Sequence, residues 1–240
     1  MRRLLFGITT LAVVTLVVHT AGAQRPEGGL RPKAGPGKSG FDFGGVTEFD
    51  SPPLGRNDRE KRALAVLDEM STGRWYLNVT TREGRLLRQL TETAGAKRVV
   101  EVGTSSGYSS IWLAMGLRAT RGKLYTHEID PEKVKMARAN FEKAGVAGLI
   151  TIVEGDAHET VKQHKEPIDV VFLDADKEGY IDYLKKLLPL VRPGGLILGH
   201  DMKRPRPDPR YIEAITKNPD LETSFVMMES YGISLTLKKR

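Results

Sequence analysis

The chain has 240 residues, 40% hydrophobic and 28% charged, with a net charge of +7 from 37 Lys plus Arg against 30 Asp plus Glu. That size and balance suit one globular domain with an appendage, and exclude a chain disordered throughout. The absence of cysteine excludes disulfides, thiolate metal sites and thiol nucleophiles, and basic residues scattered through helices and a KKR tail exclude the basic and aromatic stripe of a nucleic-acid surface.

Residues 1–23 open with Arg2 and Arg3, run on as the uncharged LLFGITTLAVVTLVV and close with Ala21-Gly22-Ala23. This is the pattern of a secretory signal. Its apolar run of about 15 residues is short against the roughly 20 that span a bilayer as a helix, which favours a cleaved signal over an N-terminal anchor. The expectation is therefore a periplasmic or secreted protein, or one tied to the membrane, with membrane contact only if the segment is uncleaved; an anchor facing inward would leave the domain on the cytoplasmic face. Residues 24–57 (RPEGGLRPKAGPGKSG, then SPPLG) are rich in Gly and Pro and lack periodicity, so they read as a linker. Phe41, Phe43, Val46 and Phe49 are apolar enough for the part after Gly40 to dock on the domain.

From Asp58 to residue 240 the pattern is that of one folded unit. DREKRALAVLDEMS predicts a helix starting near Asp58, and REGRLLRQLTETAG predicts a second, capped by Thr80 or Thr81 and ended by Gly95. KRVVEV, KLYTHEI, LITIVEG, IDVVFLDA and GGLILGHD are short aliphatic strands, separated by SSIWLAMGLRA, PEKVKMARANFEKAG, HETVKQHK and YIDYLKKLLPLV at helical spacing. Parallel neighbours need long crossovers, so this alternation predicts an α/β fold with a parallel sheet and helices on both faces. RYIEAITK then predicts a helix, and TSFVMME and ISLTLKK predict two strands that pair antiparallel at the sheet edge.

In an open parallel sheet the ligand lies beyond the carboxyl ends of the strands. VVEVGTSSGYSS places Gly103 and Gly107 at the first such end, where glycines let the backbone approach a ligand and turn into a helix. The loop lacks the G-x-G-x-x-G spacing of a pyrophosphate site, and taken alone it is also an ordinary strand-to-helix turn. The second strand ends about twenty residues on at Glu128-Ile129, where a carboxylate can accept both ribose hydroxyls. The third ends at Gly155-Asp156-Ala157, where an adenine edge could be read. Together they suit a small adenosine ligand without a pyrophosphate, a description that S-adenosylmethionine (SAM) meets.

On LNVTTREGRLLRQL, VVEVGTSSGYSS, THEID, EGDA, VFLDADKEGYIDYLKKLLPLVRPGGLIL and HDM, residues 58–238 resemble the class I methyltransferases, and more narrowly the O-methyltransferases of the catechol and caffeoyl-CoA type. The resemblance implies a Rossmann-like, doubly wound, mostly parallel seven-stranded sheet with an antiparallel C-terminal hairpin. It implies that Gly103, Thr104, Ser105, Gly107, Tyr108 and Ser109 surround the methionine part and ribose of SAM, with Glu101 beneath them. Glu128 and Ile129 would hold the ribose, Asp156 and Ala157 the adenine, while Asn78 and Val79 close over the donor. Each has a plainer reading: Ser109 or Asp156 as a helix cap, Asn78 as the end of a loop.

Asp174 and Asp201 would face each other across the sheet's switch point, two hard oxygen donors suited to Mg²⁺ or another divalent cation. The resemblance makes Lys177 the group that takes the acceptor's proton, provided that the metal and partial burial lower its pKa. The implied reaction moves a methyl group to a hydroxyl of a small phenolic or catechol-like acceptor, in an enzyme that the resemblance makes a homodimer. One position departs from the pattern. Met202 stands where the family supplies an asparagine ligand, and a thioether binds hard cations poorly. Strand alternation points His200 away from Asp201, which argues against its ligation. Two other readings stay open: a metal-independent methyltransferase, and a catalytically silent adenosyl-binding module with an interaction role.

Overall fold

The computed structural model describes residues 50–72, 78–203, 207–228 and 230–240. The expected signal or anchor, most of the linker and its residues Phe41, Phe43, Val46 and Phe49 lie outside the described residues. The end of the linker lies against the second helix, where Arg82 pairs with Asp50 and Arg85 donates to the Ser51 carbonyl.

Five strands, β1 (Arg98–Val102), β2 (Lys123–Glu128), β3 (Ile150–Glu154), β4 (Ile168–Leu173) and β5 (Val191–His200), alternate with helices and pair in parallel. Two more, β6 (Leu221–Val226) and β7 (Ile233–Lys238), form an antiparallel hairpin. The seven-stranded order is β3-β2-β1-β4-β5-β7-β6, so β7 joins the hairpin to β5 and β6 forms the edge. Helices α1 (Asp58–Thr72), α2 (Thr81–Thr93), α3 (Tyr108–Thr120) and α4 (Pro131–Ala144) share one core, and the short α5 (Ala157–Thr160), α6 (Tyr180–Leu187) and α7 (Pro209–Thr216) border the other.

The central strand β4 is buried at every position because both faces of the sheet are covered there. Side chains alternate, so Val99, Val170, Phe172 and Leu198 enter the core shared with α1–α4, while their neighbours Val100, Val171, Leu173 and Ile197 enter the core shared with α6 and α7. Helix ends follow local chemistry. Thr80 and Glu83 form a capping box at α2, with Glu83 Oε2 accepting from Thr80 N at 2.7 Å. Asp130 caps α4 with Pro131 in its first turn, and Asp208 does the same for α7 ahead of Pro209.

Two elements differ from the sequence reading. HETVKQHK forms only one α turn followed by a 3-10 turn, capped by Asp156, whose side chain accepts from His158 N at 2.8 Å. The plainer reading of Asp156 as a cap therefore holds alongside any ligand role. β5 begins at Val191, ahead of Gly194-Gly195, because Val191 pairs with Ile168 before a register shift absorbs Pro193 and Gly194.

Behind β2 two buried imidazoles meet, His127 Nε2 lying 2.9 Å from His164 Nε2, while His127 Nδ1 lies 2.8 Å from Thr160 Oγ1. Burial, then their mutual repulsion, pushes His127 down to about 3; burial, then the Arg98 charge, pushes His164 down to about 4. In the unfolded chain both protonate near 6.5, so below that pH the unfolded state binds more protons and stability falls with acidification. His200, pushed up to about 10 in the fold, gives a contribution nearly complete below 6.5, whereas Glu101, pushed up to about 7, takes up a proton in the fold over this range and offsets part of the loss. Between pH 6.5 and 5 the urea-derived stability should fall by ~1–2 kcal/mol, and His164→Gln should flatten or reverse that slope. A His164→Gln variant with the same slope as the wild type would contradict the neutral pair.

Candidate active site

The order of the sheet reverses between β1 and β4, and the loop after β1 sits at that reversal. Gly103 has φ +101°, and a Cβ there would lie 2.3 Å from the Asp174 carbonyl oxygen, so glycine alone fits. The amides of Gly103 and Thr104 both donate to the His127 carbonyl at 3.1 Å, which ties the loop to the end of β2. Glu128, at the next strand end, grips the same loop: its Oε2 accepts from Ser105 N at 2.7 Å, and its Oε1 accepts from Ile129 N and Asp130 N at 3.0 Å. A carboxylate offers about four acceptor positions, so it is held in place with capacity left for a ligand hydroxyl.

Beneath the loop, Glu101 is fully buried and accepts the hydroxyl hydrogens of Ser109, at 2.6 Å, and Ser110. Burial pushes its carboxyl up to about 7 despite those donors. Gly107 is the N-cap of α3 with φ +86°, packed so that a Cβ would strike Phe141 at 2.4 Å. Ser109 is engaged with Glu101 and does not cap the helix. Asn78 Oδ1 accepts from Ser106 Oγ at 2.9 Å, holding the entry to α2 across the loop.

The charged end lies one strand over, at the adjacent ends of β4 and β5, so the two aspartates flank β4 and β5 and the reversal itself lies at β1 and β4. Lys177 Nζ sits 3.0 Å from Asp174 Oδ1, 3.1 Å from Asp201 Oδ2 and 2.8 Å from the Tyr180 hydroxyl, which donates to the Leu173 carbonyl. His200 Nδ1 lies 3.1 Å from Asp174 Oδ1 and 3.8 Å from Asp201 Oδ1, and its Nε2 lies 3.2 Å from Glu83 Oε2.

His200 thus faces the aspartates, contrary to the strand-alternation argument. That argument assumes extended backbone through both residues, whereas Asp201 has φ +59° and ends the strand. The charges set one another. Burial raises the Asp174 carboxyl, but His200 and Lys177 outweigh it and hold it well below the usual carboxylate range. Burial lowers His200, yet Asp174 and Glu83 push it up to about 10. Burial likewise lowers Lys177, and the Tyr180, Asp174 and Asp201 oxygens more than reverse this, so its ammonium is held above the ordinary lysine range. The lowering expected for a base is absent from this arrangement, and Lys177 stands as the cation that bridges two carboxylates.

One cavity of about 590 Å³ spans both ends. Every residue the sequence nominated for the cofactor lines it except Glu101 and Gly107, which support the loop from behind; Lys177 and Asp201 also line it. Met202 does not: it is 3% exposed and packed in the core beside α6 and α7. The cavity also takes in His158, Asp176, Tyr183, His200 and Tyr231, which the sequence reading did not assign to it. His158 stacks on Tyr183 at 4.6 Å, and Tyr183 donates to Asp176 at 2.6 Å. Asp176, within DADK, carried a legible signal; Tyr231, in a turn between edge strands, carried none.

The donor set suits a divalent cation. One ligand atom each from Asp174, His200 and Asp201 lie within 4.8 Å of one another, and Lys177 is the group that an entering ion would displace.

A family model described as O-methyltransferase matches residues 58–202. The chain is 34% identical over 167 residues to a catechol O-methyltransferase of Niastella koreensis, covering 68% of this chain and 74% of that protein. It is 36% identical over 151 residues to a catechol O-methyltransferase of Mycobacterium tuberculosis, covering 62% and 67%. The O-methyltransferase from Bacillus cereus, solved in complex with SAH, superposes with a TM-score of 0.65 at 28% identity, over 78% of this chain and 93% of that one.

Proposed function

Because the chain belongs to the O-methyltransferase family and is a SAM-dependent enzyme, we propose that it methylates a hydroxyl of a small catechol-like acceptor, with a divalent cation held at Asp174 and Asp201. The observation that carries this reading is the single cavity joining the Ser105–Glu128 contact to the Asp174–Lys177–Asp201 cluster.

In this reading Glu128 takes a ribose hydroxyl at its remaining acceptor position, the backbone from Gly103 to Ser105 lies along the methionine part, and Asn78 and Val79 cover the donor. Asp156 and Ala157 border the adenine. A sulfonium methyl is already activated, so the protein's work is alignment of the acceptor oxygen with the methyl carbon and stabilisation of that oxygen as an anion. When bound, the cation supplies Lewis acidity that lowers the pKa of the acceptor hydroxyl. As the structure stands Lys177 is an ammonium that stabilises the acceptor oxygen as an anion; with a cation at the aspartates it would lose those two anionic partners, and only an amine freed in that way would take the acceptor's proton, with Tyr180 holding it from behind. Tyr231, whose ring centroid lies 6.1 Å from that of His200, forms an aromatic wall for the acceptor.

SAH should bind in calorimetry with one site per chain, and catechol with labelled SAM should give a monomethylated product whose formation falls on adding EDTA. Absence of heat at millimolar SAH would remove the reading. SAH binding with no product from any phenol would leave the silent binder, and EDTA-resistant product would remove the cation.

A further inference from the structure

The acceptor end contains a buried imidazole for which the methyl transfer itself gives no reason. His200 is 2% exposed and Glu83 is 0% exposed. Glu83 caps α2 and places Oε2 3.2 Å from Nε2 of His200, a charge contact behind the ring, while Nδ1 is turned to Asp174 and Asp201. A carboxylate behind one ring nitrogen, with the other aimed at further donors, is the arrangement that orients a metal-binding histidine. The left-handed backbone at Asp201 brings its carboxylate to the same side as the imidazole. The result is a triangle of one nitrogen and two carboxylate oxygens within 4.8 Å, which a single ion can span.

Building on the divalent cation proposed above, we infer that His200 is its third protein ligand through Nδ1, and that the site therefore prefers a later transition-metal ion such as Co²⁺ to Mg²⁺. Mg²⁺ takes oxygen ligands and retains its waters, whereas imidazole suits transition metals, so exchanging an oxygen donor for a ring nitrogen tilts selection toward the latter. Met202 supplies no competing donor, since its side chain is committed to the core. Entry of the ion requires Lys177 Nζ to leave the space between the aspartates, and one divalent charge replaces the ammonium there.

The test uses the full chain, stripped with EDTA and titrated separately with MnCl₂, CoCl₂ and MgCl₂, with SAH binding followed in parallel. Co²⁺ should bind at least tenfold more tightly than Mg²⁺, and pulsed EPR of the Mn²⁺ form, used as a probe of the ligands, should carry ¹⁴N coupling from one imidazole. His200→Asn should abolish that coupling and reduce the Co²⁺ over Mg²⁺ preference at least tenfold; Glu83→Gln should weaken Co²⁺ binding ~10–100-fold while the coupling persists. Metal binding without nitrogen coupling in the wild type would overturn the role of His200 and leave the cation standing. If no ion binds at millimolar concentration while SAH still does, the inference and the cation fall together and the SAM reading survives. The wild-type spectrum decides the matter even if a variant fails to fold.

Discussion

Asp174→Asn should lower turnover of a catechol acceptor by ~10³-fold while leaving SAH affinity within about threefold, measured by labelled-methyl transfer and calorimetry. The side chain keeps its size, so the change removes charge with little change of shape. In the wild type, Asp174 Oδ1 is shared by Lys177 at 3.0 Å and His200 at 3.1 Å, and its neighbour Asp201 is the remaining carboxylate of the cluster. With the amide, two positive groups converge on one aspartate. The proposed cation then keeps one carboxylate in place of two, Lys177 loses one of its anionic partners when the cation is absent, and the acceptor oxygen is no longer held in place. The cofactor loop is anchored elsewhere, through the His127 carbonyl and Glu128, which is why binding persists. Near-normal turnover in this variant would refute the proposed site. Asp174→Ala is a poorer choice, because it removes the charge and also leaves a cavity and no side-chain oxygen for Lys177 and His200, adding a loss of stability to the loss of charge.

Glu128→Ala should raise the SAH dissociation constant by ~10²-fold. Hydrogen bonds to a charged acceptor contribute about 1.5–3 kcal/mol each, and the variant also deprives Ser105 N, Ile129 N and Asp130 N of their shared acceptor. Glu128→Gln keeps one carbonyl oxygen and should recover part of the loss. If calorimetry found the alanine variant binding SAH as the wild type does, the carboxylate would be a loop brace alone and the ribose would lie elsewhere.

The alternating strands were legible because buried aliphatic runs and helical spacing are local signals. Thr80 announced the start of α2 through capping chemistry that operates over three residues. The cofactor end was legible for the same reason, since Gly103, Glu128 and Asp156 each terminate a strand and topology brings strand ends together. The acceptor end was less so. The orientation of His200 depends on a left-handed aspartate that no turn motif announces, and on Glu83, more than a hundred positions earlier in the chain. T-x-x-E could be read as a capping box, but its second task is a tertiary one. Lys177 was found by motif, while its ionisation follows from two carboxylates whose distances only the folded chain sets.

Glu83 serves the start of α2 and the imidazole of His200 with the same oxygen. The stretch that roofs the donor and the floor beneath the acceptor are therefore braced by one atom, and a displacement of either is transmitted to the other. Altering the turn around Tyr231 offers a way to retune which molecules are accepted while sparing that brace, whereas redesign of residues 78–83 would disturb donor and acceptor together.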